Sequence, residues 1–221
     1  MKAIGHLYLI WRKSKGSRRI PVGIIRRNST EGVRFNYLKD GVQKAIPEGF
    51  VSYTDFPDLT KMYKENVIDI FGQRLNKPER SDIQKYYDFW EVNPKYQYDK
   101  YYLLAHTQGL LATDNFEFLA DYYPIKGLSF ISEICGLSTN RIASDTITEG
   151  EELRWEYDLQ NSYDKNAIKI FKGAIYLGNV KLIHCNVFRK RGGEKLKVKV
   201  KSVDKNGHLN RVFITIYMPV K

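Results

Sequence analysis

The chain has 221 residues, 43% of them hydrophobic and 28% charged, with 16 Gly and 7 Pro, a balance that excludes the disordered and collagenous classes and fits one large or two small domains. Thirty-six Lys and Arg against 25 Asp and Glu give a net charge of +11, a field that attracts polyanions and makes nucleic acid the leading class of partner. The longest apolar runs, residues 7–11 and 213–217, fall far short of the roughly 20 residues needed to span a bilayer, so no membrane helix is predicted.

The first 45 residues read as an antiparallel β meander: residues 7–11 and 20–25 are apolar, 33–37 alternate, and turn formers at 15–17 and 28–32 separate them. From about Asp58 the period becomes helical. Val67, Ile68, Ile70, Phe71 and Leu75 recur after Asn66 as N-cap, and Ile83, Tyr86, Tyr87 and Trp90 recur after Ser81. A third helical stretch covers 101–111. Beyond Gly127 short strands return at 130–135, 153–157, 167–171, 174–177, 196–203 and 211–218, with one helix at 181–189, and this spacing predicts a small barrel. Lys195, Lys197, Lys199 and Lys201 alternate with Leu196, Val198 and Val200, so the lysines face one way and the apolar residues the other. Asn206-Gly207 then turns the chain into a pairing strand.

Little in the sequence points to catalysis. The chain reaches Arg12 and Lys13 before any signal-like apolar stretch develops, and Cys135 and Cys185 lack the paired spacing of a zinc or redox site; both features lead us to expect a cytoplasmic protein. His6, His106, His184 and His208 are scattered, so no metal is expected. Arg191-Gly192-Gly193 precedes a lysine-rich strand instead of a helix, which makes it a turn and not a phosphate loop. His184 and Cys185 are adjacent and so project from different helix faces. Glu149, Glu151, Glu152 and Glu156 form the densest acidic cluster, read as a solvated turn and not as the carboxylates of a metal-dependent nuclease. No cofactor is expected, and the chain is read as non-catalytic.

The stretch from Glu156 to Lys181 stands out. Asn161-Ser162-Tyr163-Asp164 has the composition of a polar turn, which Asn166 extends before the strand that begins at Ala167. Two readings stay open from the residues alone. In one, Tyr163 offers a ring for stacking, Asp164 and Asn161 accept from a hydroxyl or a base edge, and Lys165, Lys169, Lys172 and Lys181 meet phosphate. In the other, Asp164 and Asn166 only cap the turn while Tyr163 packs beneath it.

Asn161-Ser162-Tyr163-Asp164-Lys165-Asn166-Ala167, with the following strand and Leu177-Gly178-Asn179-Val180-Lys181, resembles the core signature of the HIRAN domain. That signature is a polar turn of the type Asn-x-Tyr-Asp-x-Asn-Ala, then a strand, a glycine turn and a Gly-x-x-Lys-like segment. The resemblance implies that residues 125–221 form a HIRAN-like barrel, OB- or SH3-like in kind, that binds DNA and favours single strands or 3′ ends. It places Asn161, Tyr163 and Asp164 around a terminal nucleotide, Lys181 against the strand, and Asn179 where a eukaryotic relative has a histidine. Lys165, Asn166, the four lysines from Lys195 to Lys201, and Arg141 complete the expected DNA-binding set. Upstream the chain departs from the family, which has an Arg-Tyr or His-Tyr pair after the first strand: Leu137-Ser138-Thr139 follow Gly136 here, with Arg141 as a shifted candidate. A second stacking platform is therefore unmatched.

More diffusely, Ile20-Pro21-Val22-Gly23, Val33-Arg34-Phe35-Asn36-Tyr37 and Phe71-Gly72-Gln73-Arg74-Leu75 resemble the N-terminal subdomain of HipA-type toxins, without a kinase core. The expected organisation is thus an α+β module over 1–124 followed by the mainly β barrel over 125–221. The implied role is a non-catalytic DNA-binding protein in bacterial or phage repair, restriction or defence. The alternative is a regulatory or antitoxin-like partner that binds a HipA-type kinase through residues 1–120, the N-terminal module serving in either case as a surface for a protein partner.

Overall fold

The computed structural model describes residues 3–220, the side chains of Ser138, Thr139 and Asn206 excepted. It divides into two compact units, one spanning Ile4–Asp121 and one formed by the chain from Tyr122 onward.

In the N-terminal unit the apolar runs become β1 (Ile4–Trp11), β2 (Ile20–Asn28) and β3 (Gly32–Tyr37), paired antiparallel with Leu9 opposite Gly23 and Ile25 opposite Phe35. Two elements here escape the sequence reading. One is α1 (Lys39–Ala45), whose Gly41 is required because a Cβ would stand 1.8 Å from the Pro21 carbonyl oxygen. The other is β4 (Phe116–Tyr122), which completes a four-stranded sheet in the order β3-β2-β1-β4. The helical stretches are shorter than predicted. α2 (Val67–Gly72) follows Asn66, whose side chain makes no capping bond, and α3 (Ile83–Phe89) starts from Asp82, not Ser81. α4 (Lys100–Thr107) is capped by Asp99, which accepts from the Tyr102 N–H at 3.1 Å; it stops four residues early because Gln108 and Gly109 turn left-handed at φ +62° and +51°. Phe35, Phe56 and Phe71 pack ring to ring in the core, centroids 4.9–5.2 Å apart.

The C-terminal unit is the expected small barrel. β5 (Ser129–Cys135), β6 (Glu152–Tyr157), β7 (Ile168–Lys172), β8 (Ile175–Val180), β9 (Lys197–Asn206) and β10 (His208–Tyr217) close in the order β10-β5-β8-β7-β6-β9, all antiparallel. An α+β module followed by a mainly β barrel is therefore the observed fold class. Ile168, Ile170, Leu177, Val198, Val200, Val212, Ile214 and Ile216 fill the interior, as the period-2 patterning requires.

Two of the six seams are short. β5 meets β8 only at Ile134–Val180 and Cys135–Asn179, and Gly178 (φ +148°) sits there with no room for a Cβ, which would lie 2.3 Å from the Cys135 carbonyl oxygen. β6 meets β9 at Glu152–Lys199 and Leu153–Val198, beyond which the Trp155 indole N–H donates to the Leu196 carbonyl at 2.9 Å. The short helix α5 (Leu137–Asn140) follows β5. The predicted helix at 181–189 contracts to α6 (Asn186–Arg189), because Ile183 adopts a left-handed φ of +67° that no helix tolerates. Its Phe188 packs edge-on against Trp155 at 4.7 Å. Among the described residues no helix is long and apolar enough to cross a membrane, and no three His, Cys, Asp or Glu side chains group as metal ligands.

Candidate nucleic-acid interface

The polar turn joins β6 to β7, closed at its base by the Asp158 N–H donating to the Ala167 carbonyl at 2.9 Å. Its organiser is a residue the sequence reading passed over. The Asp158 carboxylate is buried; Oδ1 lies 3.1 Å from Lys169 Nζ, while Oδ2 accepts from Asn161 Nδ2 at 3.0 Å and Asn179 Nδ2 at 3.2 Å. Burial alone would raise its pKa, but the hydrogen bonds from Asn161, Asn179 and Lys169 outweigh that and hold it below the ordinary carboxylate range. Oriented in this way, Asn161 turns its Oδ1 to the backbone N–H groups of Tyr163 (3.0 Å) and Asp164 (2.9 Å). Asp164 Oδ1 accepts from the Asn166 N–H at 2.9 Å, and Asn166 Nδ2 donates to Asn186 Oδ1 of α6 at 2.9 Å. These are Asx-type turn bonds, the local competitors of regular structure.

Tyr163 departs from the reading that buries it under the turn. Its side chain does not pack beneath the turn; the residue is 76% exposed. Asp164 serves the turn, and its Oδ2 also accepts from the Cys185 thiol at 3.1 Å. Burial, and then the charge of Asp164, push that thiol far above its ordinary pKa, so Cys185 is a poor nucleophile despite the neighbouring His184. His184 is itself turned to Ser132 Oγ, 2.9 Å from Nδ1.

The remaining expected residues scatter. Asn179 joins the turn through Asp158 and accepts from the Tyr176 hydroxyl. Lys165 is exposed beside Tyr163. Lys181 does not reach the surface: it is fully buried, with Nζ 3.3 Å from Glu133 Oε2, and Glu133 is held in turn by Arg211 Nε at 2.8 Å. A lysine buried in an ion pair is a structural group, and the assignment of Lys181 to a DNA strand is corrected accordingly. Lys195 is likewise not on the lysine strand but ends the 3₁₀ turn Gly193–Lys195 before it. Lys197, Lys199 and Lys201 do alternate outward on β9, yet Lys197 is paired with Glu152 at 3.6 Å and Lys199 stands 5.3 Å over the Tyr217 ring. Arg141 is exposed at the end of α5 with φ +43°. The departure at Ser138 and Thr139 concerns side chains outside the described residues.

Besides Asp158, the sequence reading missed the flank of the turn. The Arg189 guanidinium lies 4.0 Å over the Tyr157 ring and donates from Nη2 to the Lys165 carbonyl at 3.2 Å, while the Tyr157 hydroxyl donates to the Phe188 carbonyl at 3.0 Å. Lys190 repeats the motif over Tyr123 at 3.9 Å, its Nζ donating to the Tyr122 carbonyl at 2.6 Å. The signal for this flank was the run Arg189-Lys190-Arg191 itself, which ended a predicted helix and drew no separate weight. Three of the four residues of the acidic cluster form ion pairs, Glu151 with Lys172, Glu152 with Lys197 and Glu156 with Arg154, and Glu149 is exposed.

No family model matches the chain, and no curated protein matches it. Among solved structures, the HIRAN domain of human HLTF is similar to this chain at 21% identity and a TM-score of 0.32, covering 40% of this chain and 74% of its own. A protein from Lactobacillus plantarum is similar at 17% identity and a TM-score of 0.32, covering 41% of this chain and 93% of its own.

Proposed function

We propose that the protein is a non-catalytic DNA-binding protein that engages single strands or 3′ ends at the turn Asn161 to Asn166 of its barrel. The reading is carried by one observation: Asn161, Asp164 and Asn166 are engaged within the protein, fixing the turn, while the Tyr163 ring is presented to solvent with Lys165 exposed on the same turn. A ring on a fixed backbone offers a base a stacking face with little ordering cost, and base–aromatic stacking is worth about 1–3 kcal/mol. Each Asp164 oxygen accepts one bond within the protein and keeps a further lone pair for a strand-terminal hydroxyl. The net charge of +11 and the sequence resemblance to the HIRAN turn support the same class of ligand.

The test is fluorescence anisotropy at one fixed salt concentration with single-stranded, blunt duplex and 3′-tailed DNA, for the parent and Tyr163→Ala. The expected order is single strand and tail above blunt duplex, with Tyr163→Ala weakening single-strand binding about ten-fold or more. Comparison of 3′-hydroxyl and 3′-phosphate strands on the parent reads end recognition without disturbing the turn. Because Tyr163 is exposed, its removal leaves the unfolding midpoint near the parent's. A folded Tyr163→Ala protein that binds single strands like the parent would overturn the proposal.

A further inference from the structure

Two groups of cations in the C-terminal unit bear on the path of a strand that leaves the turn. On one side each has a carboxylate: Arg154 with Glu156, Lys169 with Asp158, Lys172 with Glu151, Lys197 with Glu152 and Arg211 with Glu133. The ring under Lys199 belongs to the same set, since the Tyr217 hydroxyl donates to Glu152 Oε1 at 3.1 Å. A phosphate arriving there has to displace an acid already in place, and the Coulomb gain is offset by the loss of the existing pair.

The second group lies along α6 and the turn. Lys165, Arg189 and Arg191 are exposed and, among the described residues, no carboxylate forms an ion pair with any of them. The acidic residues nearest in sequence are Asp164, turned to Cys185, and Glu194, beyond the Gly192 turn. Arg189 spends one N–H on the Lys165 carbonyl and lies on Tyr157, so its guanidinium is a fixed plane with donors and an outer face to spare. The flank is tied to the turn by three separate contacts: Arg189 to Lys165, Asn186 to Asn166, and Cys185 to Asp164. Exposed cations interleaved with aromatic rings are the elements from which sequence-tolerant single-strand grooves are made.

We propose that a strand held at Tyr163 leaves the turn over the Arg189–Tyr157 stack and runs along Lys165 and Arg191, not across the lysine-rich face of β9. This path rests on the DNA-binding reading above. Phosphate contacts made by a given cation appear as a slope in log affinity against log salt, about 0.7 per contact for a single strand. Slope therefore reports which lysines and arginines meet the backbone.

The experiment compares two triple variants of the full chain on a single-stranded 12-mer across a salt series: Lys165→Gln/Arg189→Gln/Arg191→Gln, and Lys197→Gln/Lys199→Gln/Lys201→Gln. The first is expected to flatten the slope by about 2, the second to leave it as in the parent. Arg189→Lys keeps the charge and loses the plane, so it retains the slope while binding several-fold more weakly. Lys165→Gln and Arg191→Gln alone, each flattening the slope by about 0.7, carry the test if the triple fails to fold. A parent slope in the folded flank variants, or flattening in the β9 triple, overturns the path while leaving the DNA-binding reading intact; a parent that binds no DNA overturns both.

Discussion

Substituting Lys181→Met separates a buried structural lysine from a DNA contact. The variant keeps the aliphatic stem in the barrel and removes the ammonium that lies 3.3 Å from Glu133 Oε2. Glu133 is largely buried but retains Arg211 at 2.8 Å. Breaking a fully buried pair typically costs about 3–5 kcal/mol, and the surviving Arg211 contact places this one at the lower end or somewhat below, about 2–3 kcal/mol. Glu133→Gln in the same molecule removes the carboxylate charge that has lost its buried lysine, so the double variant is expected to recover part of the loss. Urea unfolding followed by the fluorescence of Trp155, which lies in the barrel, gives both values. Single-strand affinity of the folded variant is expected to match the parent, since the lysine is inaccessible. Unchanged stability together with a weakened affinity would refute the reasoning and return Lys181 to the surface.

Three further outcomes follow from the titratable groups. Asp158, whose pKa is depressed, contributes stability that is present above its unfolded value of about 3.9 and disappears as pH falls through the lower folded value; Asp158→Asn should cost about 2 kcal/mol at neutral pH and progressively less in acid, and a pH-independent difference between parent and variant would contradict it. His106, stacked 4.2 Å from Tyr102, is held neutral by burial with its pKa lowered to about 4. Its contribution is complete above about pH 6.5 and declines as pH falls towards 4, by roughly 3 kcal/mol in all, so His106→Phe should flatten N-terminal unfolding between those values, and a persisting slope would assign it to another group. Alkylation of the native protein at pH 8 should modify Cys135, which is half-buried, and spare Cys185; mass spectrometry finding both modified before unfolding would show that the α6 segment opens.

What the sequence reveals and conceals has physical causes that vary by element. The alternation at Lys197 to Lys201 is legible because a strand with one wet face must repeat every two residues. β4 escapes because Phe116-Glu117-Phe118-Leu119-Ala120 is nearly all apolar and its one charge is buried against Arg19, so no period distinguishes strand from helix. α1 escapes for a different reason: the glycine that its contact with Pro21 demands is the residue that weakens a helical signal by about 1 kcal/mol. Within the site, Asn161, Tyr163, Asp164 and Asn166 are local in sequence and could be read as a turn. Asp158 could not, because its role depends on Lys169 and Asn179 arriving from β7 and β8. Lys181 misleads in the same way, its partner Glu133 lying 48 residues earlier.

The short seam between β5 and β8 gives Asn179 two employments. Its backbone is one of two residue pairs that close the barrel there, and its side chain is one of the donors that fix the Asp158 carboxylate. Any breathing of that seam therefore loosens the base of the turn, and anything that clamps the turn tightens the seam. Occupancy at Tyr163 would be felt as slower amide exchange at Ile134, Cys135 and Val180, across the strand from the bound molecule. One of the barrel's two short seams would in that sense act as a strain gauge for anything bound at the turn.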